Sequence, residues 1–213
     1  MIRERILFWD WNGTLLDDTE TCMKAMNTIL SRRGMPELNM DLYKDIFVFP
    51  VREYYRKIGF DFERESFEDL SVEFIDFYNQ SLHSAKLARN AHRVLEHFYK
   101  TGKRNIIISA MKHDMLIGSV TEKNLNRYFT DILGIDNIYA ASKSTIALEF
   151  VNRNAIDISD VVVIGDTTHD FEVAQEIGCR CILVADGHQS KDRLLSTGAE
   201  VVPSLISLKS IHH

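Results

Sequence analysis

An aspartate at the end of an apolar run begins a short segment whose residue types suit the binding of an anion. Asp10 follows the apolar residues 6–9, and Trp11, Asn12, Gly13 and Thr14 come directly after it. Gly13 allows the backbone to turn sharply and to present N–H groups to an anion such as phosphate. An ordinary Asp-x-Asn-Gly turn has the same sequence, so this segment alone leaves both interpretations open.

A pair of acids follows another apolar run. Asp166 and Asp170 lie four residues apart, at a predicted junction between a strand and a helix. Together with Asp10 they would form a cluster of three carboxylates that repel one another unless a cation is present. Such oxygen ligands suit Mg²⁺. The alternative is that Asp166 or Thr167 only caps the helix, although capping does not require both acids.

Two single residues complete the set that could bind phosphate. Ser109 ends an apolar run, and its hydroxyl together with the N–H of Ala110 can bind a phosphate oxygen. Lys143 precedes a predicted helix and can offset the charge of a carboxylate and a phosphate. A serine at this position also serves as a helix cap, and a single lysine is commonly solvated surface, so both depend on their place in the fold.

The elements that must position these residues are apolar runs separated by helical patterns. The runs are nearly continuous in Ile and Val, as in parallel strands that are covered on both faces. Alternation of strand and helix predicts an α/β fold with a doubly wound parallel sheet, whose functional groups lie at the carboxyl ends of the strands. The predicted strands are Ile6 to Trp9, Asn105 to Ser109, Val161 to Gly165 and Cys181 to Ala185.

One long segment breaks this alternation. Residues 17–85 contain helical patterns and no strand pattern, which predicts a small all-helical cap domain inserted after the first strand. The core domain is then expected to comprise residues 1–16 and 86–213, with hinges near residues 15–18 and 84–89. Asp17, with Glu20 three residues later, is expected to cap the first of these helices.

The composition excludes several classes of protein. The 213 residues include 25 Lys and Arg and 31 Asp and Glu, a net charge of -6 that does not suit a nucleic-acid backbone. No apolar run approaches the length of a membrane span, and no signal peptide is recognisable. The three cysteines lack the spacing of a disulfide framework or a zinc site. These features favour a cytoplasmic protein; no role is assigned to the terminal His212 and His213.

The order of the chemical residues resembles the four-motif pattern of the haloacid dehalogenase (HAD) superfamily. The motifs are Asp-x-Asn-Gly-Thr, a Ser at a strand end, a Lys, and Gly-Asp-x-x-x-Asp. The resemblance covers nearly the whole chain, and the helical insert is similar to the C1-type cap of this superfamily. Within it, the chain is most similar to phosphoglycolate-phosphatase-like members.

This resemblance implies a phosphatase that acts on small phosphorylated metabolites with Mg²⁺. In the family the first-motif aspartate attacks phosphorus, so Asp10 is expected to form an aspartyl-phosphate. Ser109 is expected to hold the phosphoryl group, and Lys143 to offset its charge. The expected catalytic residues are Asp10, Asn12, Ser109 and Lys143; the expected metal ligands are Asp10, the backbone carbonyl of Asn12, Asp166 and Asp170; the expected substrate-binding residues are Gly13, Thr14, Ser109, Ala110, Lys143 and Arg52.

Asn12 departs from the family pattern. Phosphatases of this family usually have a second aspartate there, which protonates the leaving oxygen and then activates water; a carboxamide does neither. Such general acid–base catalysis contributes roughly 10² to 10⁴ in rate. The sequence leaves three hypotheses: a substrate with a good leaving group, replacement by another group such as His169, or a protein of low turnover that mainly binds a phosphorylated ligand. A gain of activity in Asn12→Asp would support the account of the missing acid.

Three other classes of protein have a similar sequence pattern. A metal-free dehalogenase would not need both Asp166 and Asp170. A phosphonoacetaldehyde-hydrolase-like C–P hydrolase resembles the first motif but needs a lysine in the cap for a Schiff base, where this chain has Arg52. A response-regulator-like receiver has a similar acidic cluster but no helical insert of this length. Arg52 is instead predicted to clamp a carboxylate or a second phosphate of the substrate, unless it faces solvent.

Overall fold

The computed structural model describes residues 2–139 and 142–210, and its strands form two sheets. Within these residues the strands are β1 Ile6–Trp9, β2 Leu16–Asp17, β3 Lys86–Leu87, β4 Arg104–Lys112, β5 Phe129–Ile135, β6 Val161–Gly165, β7 Arg180–Val184 and β8 Glu200–Val202. The α-helices in the same residues are α1 Thr19–Arg32, α2 Met40–Ile46, α3 Val51–Ile58, α4 Phe67–Leu82, α5 Ala91–Lys100, α6 His113–Glu122, α7 Ser144–Arg153, α8 Thr168–Ile177 and α9 Lys191–Leu195.

The main sheet is parallel, with the strand order β5-β4-β1-β6-β7-β8. After β1 the chain continues outward on one side through β4 and β5, and then crosses to the other side for β6, β7 and β8. The order therefore reverses around β1, which opens a crevice at the carboxyl ends of β1 and its neighbours. This arrangement confirms the predicted α/β fold with a doubly wound parallel sheet.

Apolar side chains cover the sheet on both faces. Leu7 and Trp9 of β1 pack in one cluster with α5 and α6, and Phe8 packs in the opposite cluster with α7 and α8. Because successive side chains of a strand point to opposite faces, a strand buried on both faces must be apolar at every position. This is why the central strands were recognisable as short continuous apolar runs.

The edge strands β5 and β8 were not predicted. β5 is mostly half-buried, its sequence FTDILGI mixes polar and apolar residues, and β8 has only three residues. An edge strand has a neighbour on one side only, so it does not need the continuous apolar pattern of a central strand. The predicted strand from Asn105 to Ser109 is also longer than expected, because β4 runs from Arg104 to Lys112.

Helices α1 to α4 form a layer of their own between β2 and β3, over the crevice. Their apolar faces meet in a third cluster that includes Met26, Leu30, Tyr43, Tyr55 and Leu70. The two chain crossings into this layer pair as the antiparallel strands β2 and β3, with Leu16 opposite Leu87. Among the helices of the described residues, none has both the length and the apolar composition needed to cross a membrane.

The loop after β7 and helix α9 hold the carboxyl end of α2. Lys44 O accepts hydrogen bonds from Ser190 N (3.3 Å) and from Arg193 Nη1 (3.1 Å), and Phe47 O accepts from Gln189 Nε2 (3.0 Å) and from Arg193. These bonds satisfy carbonyl groups that the end of a helix leaves unpaired. We use the name α2 anchor for the residues that make these bonds, which are Lys44, Phe47, Gln189, Ser190 and Arg193.

Candidate active site

The three predicted acids meet at the crevice. Asp10 follows β1, and Asp166 and Asp170 follow β6, so the parallel strands deliver them to one edge of the sheet. Carboxylate oxygens of the three residues lie within 4.8 Å of one another, and all three residues are buried. This cluster would be unstable as three unpaired anions.

Lys143 is the cation that faces two of these acids. Its Nζ contacts Asp10 Oδ1 and lies 2.6 Å from Asp170 Oδ1. Burial alone would lower the pKa of Lys143, but the charges of Asp10 and Asp170 raise it above its usual range. Lys143 is therefore a fixed positive charge at the Asp10 carboxylate, where the sequence predicted it.

One lysine does not neutralise three carboxylates. Burial raises the pKa of Asp10 to about 8, although Lys143 opposes the shift, and burial raises the pKa of Asp166 to about 6. At neutral pH the Asp10 carboxylate in particular resists ionisation until more positive charge is supplied. A cluster of hard oxygen donors with excess negative charge matches the preference of Mg²⁺, so the residues present fit that cation.

Asp170 serves both the helix and the cluster. Its Oδ2 accepts hydrogen bonds from Thr167 N (3.0 Å), Thr167 Oγ1 (2.8 Å) and Asp166 N (3.2 Å), which forms a capping box at the start of α8. Its Oδ1 is directed to Lys143. Burial alone would raise the pKa of Asp170, but Lys143 outweighs it and holds the pKa below the usual range. Asp170 therefore caps helix α8 and is also part of the acidic cluster.

Gly13 and Thr14 brace the site in a way that differs from the predicted phosphate contacts. Thr14 Oγ1 donates to Asp166 Oδ1 (2.7 Å), and Gly13 N donates to Asp18 Oδ1 (2.8 Å). Gly13 has a φ of +74°, and a Cβ there would lie 2.3 Å from Asp166 Oδ2 and 2.4 Å from His188 Cδ2. These two donors position acids, and Gly13 is required for close packing. Contact of Gly13 and Thr14 with substrate stays a prediction.

Ser109 and Ala110 lie where the sequence predicted them, at the cavity that Asp10 and Lys143 also line. Ser109 is buried, its Oγ accepts a hydrogen bond from Met111 N (3.1 Å), and the same oxygen lies 3.4 Å from Asn12 Oδ1. The hydroxyl is therefore oriented by its own loop at the cavity that Asp10 lines.

Asn12 is paired with a buried carboxylate that the sequence did not reveal. Asn12 Nδ2 donates to Asp18 Oδ2 (2.7 Å) and to the Tyr78 hydroxyl (2.9 Å), and that hydroxyl donates to Asp18 (2.7 Å). Asp18 is fully buried. Position 12 has a carboxamide in place of a carboxylate, but the carboxylate of Asp18 is in direct contact with it.

The position of Asp18 also corrects the predicted helix cap. Helix α1 begins at Thr19 with Asp18 as its N-cap residue, and no side-chain cap bond forms there. The Asp18 carboxylate is instead turned into the site. Burial alone would raise its pKa, but the charge of His188 and the hydrogen bonds from His188, Tyr78 and Asn12 outweigh burial, and the pKa lies below its usual range.

His188 connects this network to the cap helices. Its Nε2 lies 3.2 Å from Asp18 Oδ1, its Nδ1 lies 2.8 Å from the Tyr43 hydroxyl, and its backbone N donates to Asp166 (2.6 Å). Its ring stacks on Phe47 with 4.9 Å between ring centres. Burial lowers the pKa of His188, but Asp18 more than offsets burial and the pKa is raised to about 9.

The raised pKa of His188 predicts a loss of stability at alkaline pH. The folded protein binds the His188 proton more tightly than the unfolded chain does, so this stabilisation is complete below pH 6.5 and is lost as pH rises through about 9. The loss is on the order of 3 kcal/mol. Urea unfolding in EDTA should show that wild type exceeds His188→Gln in stability at pH 6 and much less at pH 9.5; a constant difference would contradict the assignment.

Two other candidates lie away from the cavity. The Arg52 guanidinium carbon is 5.0 Å from the ring centre of Phe62 and 5.2 Å from that of Phe67, and Arg52 is not among the described residues that line the cavity. This placement argues against the predicted substrate clamp. His169, offered as a substitute acid, is buried with its Nδ1 3.2 Å from Glu172, and it does not line the cavity either.

Replacing Arg52 should therefore change stability rather than substrate binding. Arg52→Ala removes a cation packed on two rings, a contact worth roughly 0.5–2 kcal/mol. We expect KM for phosphate esters to stay within about twofold of wild type while the urea midpoint falls. Lys57→Ala, which removes an exposed cation on the same helix, is the matched control. An increase in KM of tenfold or more would restore Arg52 as a substrate ligand.

Comparison with known proteins agrees with this geometry. Residues 6–184 match the haloacid dehalogenase-like hydrolase family. The chain is 22% identical to phosphoglycolate phosphatase 1 of Pseudomonas aeruginosa, covering 95% of this chain and 75% of that protein. It is 24% identical to the N-acetylmuramic acid 6-phosphate phosphatase of Pseudomonas putida, covering 94% and 92%. A predicted phosphatase from Clostridium acetobutylicum has a similar structure, with a TM-score of 0.81, 19% identity and 97% coverage of both chains.

The chain therefore belongs to the haloacid dehalogenase-like hydrolase family, which confirms the resemblance predicted from the sequence. It is an enzyme whose curated relatives are phosphatases. The likeness to solved structures at this low identity supports the fold alone.

Proposed function

We propose that this enzyme is a Mg²⁺-dependent phosphatase of small phosphorylated metabolites in which Asp10 is the nucleophile. The observation that carries the proposal is the position of Asp10. Its buried carboxylate lines a cavity together with Ser109 and contacts Lys143, with two further acids beside it. The phosphatase relatives support the same reaction class.

In the proposed reaction, an Asp10 oxygen attacks phosphorus and the bond between phosphorus and the leaving oxygen breaks. Lys143 contacts the Asp10 carboxylate and offsets negative charge there. The Ser109 hydroxyl and the Ala110 N–H bind a phosphoryl oxygen. Water then attacks the phosphorus of the aspartyl-phosphate, which releases inorganic phosphate and restores Asp10. Mg²⁺ would be held by Asp10, the Asn12 carbonyl, Asp166 and Asp170, and when bound it supplies charge neutralisation at the phosphoryl oxygens.

Asn12 sets the proposed limit on this reaction. Its Nδ2 is occupied by Asp18 and Tyr78, and its Oδ1 is on the side of Ser109. A carboxamide in this place does not transfer a proton to the leaving oxygen. We therefore expect fast formation of the aspartyl-phosphate only for leaving groups that depart without protonation, which retains the first of the three hypotheses for Asn12.

A C–P hydrolase is not favoured by the cavity. Lys143 is the lysine beside Asp10, and it is engaged with Asp10 and Asp170. Lys44 and Lys57 of the cap helices do not line this cavity, and Lys112, which does, belongs to core strand β4 and not to the cap. A Schiff base with a carbonyl substrate would need a lysine that is free to react.

We also propose that residues 17–85 act as a cap domain and that residues 1–16 and 86–213 act as the core domain. The paired strands β2 and β3 form the two crossings between them, so they are the candidate hinge. Movement at this hinge would admit substrate, and closure would exclude water.

The test of the proposed function is release of phosphate from acetyl phosphate, a small substrate with a good leaving group. We expect release with Mg²⁺, a decrease of at least roughly a hundredfold with EDTA, and recovery when Mg²⁺ is restored. Calorimetry should detect Mg²⁺ binding to wild type and weaker binding to Asp166→Asn, with Asp136→Asn on the surface as control. Absence of release with every divalent cation would favour the low-turnover binding protein instead.

A further inference from the structure

The cavity beside Asp10 has an apolar, largely aromatic wall. It lies between the carboxyl ends of the strands and the cap layer, and it encloses about 120 Å³. The core side contributes Met111 and Met115 to the same wall. The aromatic side chains of the cap layer that line it are Phe47, Phe49, Tyr54, Tyr55, Phe74 and Tyr78.

The buried positive charges at this cavity, Lys143 and His188, are already engaged by acids. Among the described residues that line it, the cationic side chains are Lys112, Lys143 and His188. Lys143 is held by two carboxylates, His188 by Asp18, and Lys112 is partly exposed with its Nζ 3.9 Å from Asp114. A carboxylate on the leaving group would therefore lose its water and meet mainly apolar surface.

This wall differs from what the substrates named for the relatives require. Phosphoglycolate carries a carboxylate next to its ester carbon, and N-acetylmuramic acid 6-phosphate carries a carboxylate and several hydroxyl groups. Such groups need hydrogen-bond partners when they are buried. The cavity is partly open, and its volume of about 120 Å³ favours a small leaving group, since an apolar cavity of roughly 150 Å³ accommodates one benzene molecule.

The lack of a proton donor at Asn12 also restricts which leaving groups can depart. Without a proton donor at this position, the leaving oxygen departs as an anion. A phenol has a pKa of about 10, as tyrosine does, so its anion leaves far more readily than an alkoxide. The small apolar cavity and the absence of a proton donor at position 12 thus both favour a phosphate ester with a small aromatic leaving group.

We propose that the substrates are aryl phosphate monoesters of about one ring, with the ring in the aromatic cavity and the phosphoryl group at Asp10. This inference rests on the proposed phosphatase function and names its substrate class. The ester is cleaved between phosphorus and the phenolic oxygen, and water supplies the oxygen of inorganic phosphate and the proton of the free phenol.

The test separates binding in the cavity from departure of the leaving group. KM and kcat are measured for phenyl phosphate, benzyl phosphate and 2-phosphoglycolate, with acetyl phosphate as the test of phosphatase function itself. We expect KM for both ring substrates to be at least tenfold below that for phosphoglycolate, and kcat/KM, which reports phosphoryl transfer to Asp10, to be highest for phenyl phosphate. If acetyl phosphate is hydrolysed while phosphoglycolate has the lower KM, this inference is wrong and the proposed function stands.

A pair of variants on helix α6 tests the cavity wall. Met115 lines the cavity and is half-buried, whereas Ile117 on the same helix is exposed and does not line it. Met115→Arg should raise KM for phenyl phosphate at least tenfold and lower KM for phosphoglycolate; Ile117→Arg should change neither. Equal effects of the two variants would remove the wall from substrate selection.

Inhibition provides a readout that does not depend on turnover. Phenylphosphonate and phosphonoacetate are stable counterparts of the ring substrate and of phosphoglycolate. We expect phenylphosphonate to bind wild type at least tenfold more tightly in calorimetry with Mg²⁺, and Met115→Arg to reverse this preference. Tighter binding of phosphonoacetate to wild type would overturn the inference even if every variant were inactive.

Discussion

Asp10→Asn is expected to lose at least a thousandfold in kcat for acetyl phosphate and phenyl phosphate. The amide is nearly the same size as the carboxylate, but it is a poor nucleophile and cannot form the aspartyl-phosphate. The variant also removes the negative charge that Lys143 contacts, so the fold should persist with one repulsive carboxylate fewer. Loss of a nucleophile is commonly worth on the order of 10³ or more in rate.

The measurement is phosphate release under saturating Mg²⁺, with circular dichroism and urea unfolding to confirm the fold. Asp136→Asn, an exposed acid outside the site, controls for charge and should match wild type. Mass spectrometry after single turnover in ¹⁸O-labelled water should find the label in inorganic phosphate and none in Asp10, because water attacks phosphorus. Full activity in Asp10→Asn would exclude the proposed mechanism.

Exchanging the residues at positions 12 and 18 is expected to produce the second large effect. Asn12→Asp alone places a carboxylate in contact with the Asp18 carboxylate, and two acids at that separation cannot both ionise. The single variant should therefore gain little activity or lose stability. The double variant Asn12→Asp with Asp18→Asn keeps one charge and one amide in the pair, and it places the carboxyl group at the position that faces Ser109.

The gain should depend on the leaving group. For benzyl phosphate, whose leaving oxygen needs a proton, the double variant should raise kcat by roughly 10²-fold or more, whereas phenyl phosphate should change far less. Asp18→Asn alone is the matched control and should show no gain. A full gain in Asn12→Asp alone would mean that Asp18 does not determine the state of position 12. The structure thus revises the simpler expectation that Asn12→Asp suffices.

The sheet and the acidic cluster were predictable because they depend on local sequence. A strand covered on both faces must be apolar throughout, so β1, β6 and β7 were recognisable, and parallel strands place their carboxyl ends together. Asp10 and Asp166 were therefore found from the strands that precede them. The half-polar edge strand β5 lacks this signal, because solvent replaces a neighbouring strand along one side.

The Asp18 network was not predictable from local sequence. Asp18 directly precedes a helical pattern, where an acid is normally an N-cap residue. Its partners Tyr78 and His188 are 60 and 170 residues away in the chain, and only the packing of α4 and of the loop after β7 brings them together. The consecutive acids Asp17 and Asp18, so close to the first motif, were the available signal. The hydrogen bond from Thr14 to Asp166 was not predictable for the same reason, since Asp166 is 152 residues away in the chain.

The α2 anchor has a consequence for which step limits turnover. The anchor joins the cap layer to the core through carbonyl oxygens of Lys44 and Phe47, and each opening of the cap on that side would break these hydrogen bonds. Water can take over such bonds at modest net cost, so the anchor delays opening without forbidding it. For a substrate whose chemistry is fast, release of product through the opened cap then becomes the slow step. For such a substrate, kcat would no longer depend on the leaving group and would instead depend on the rate at which the anchor opens.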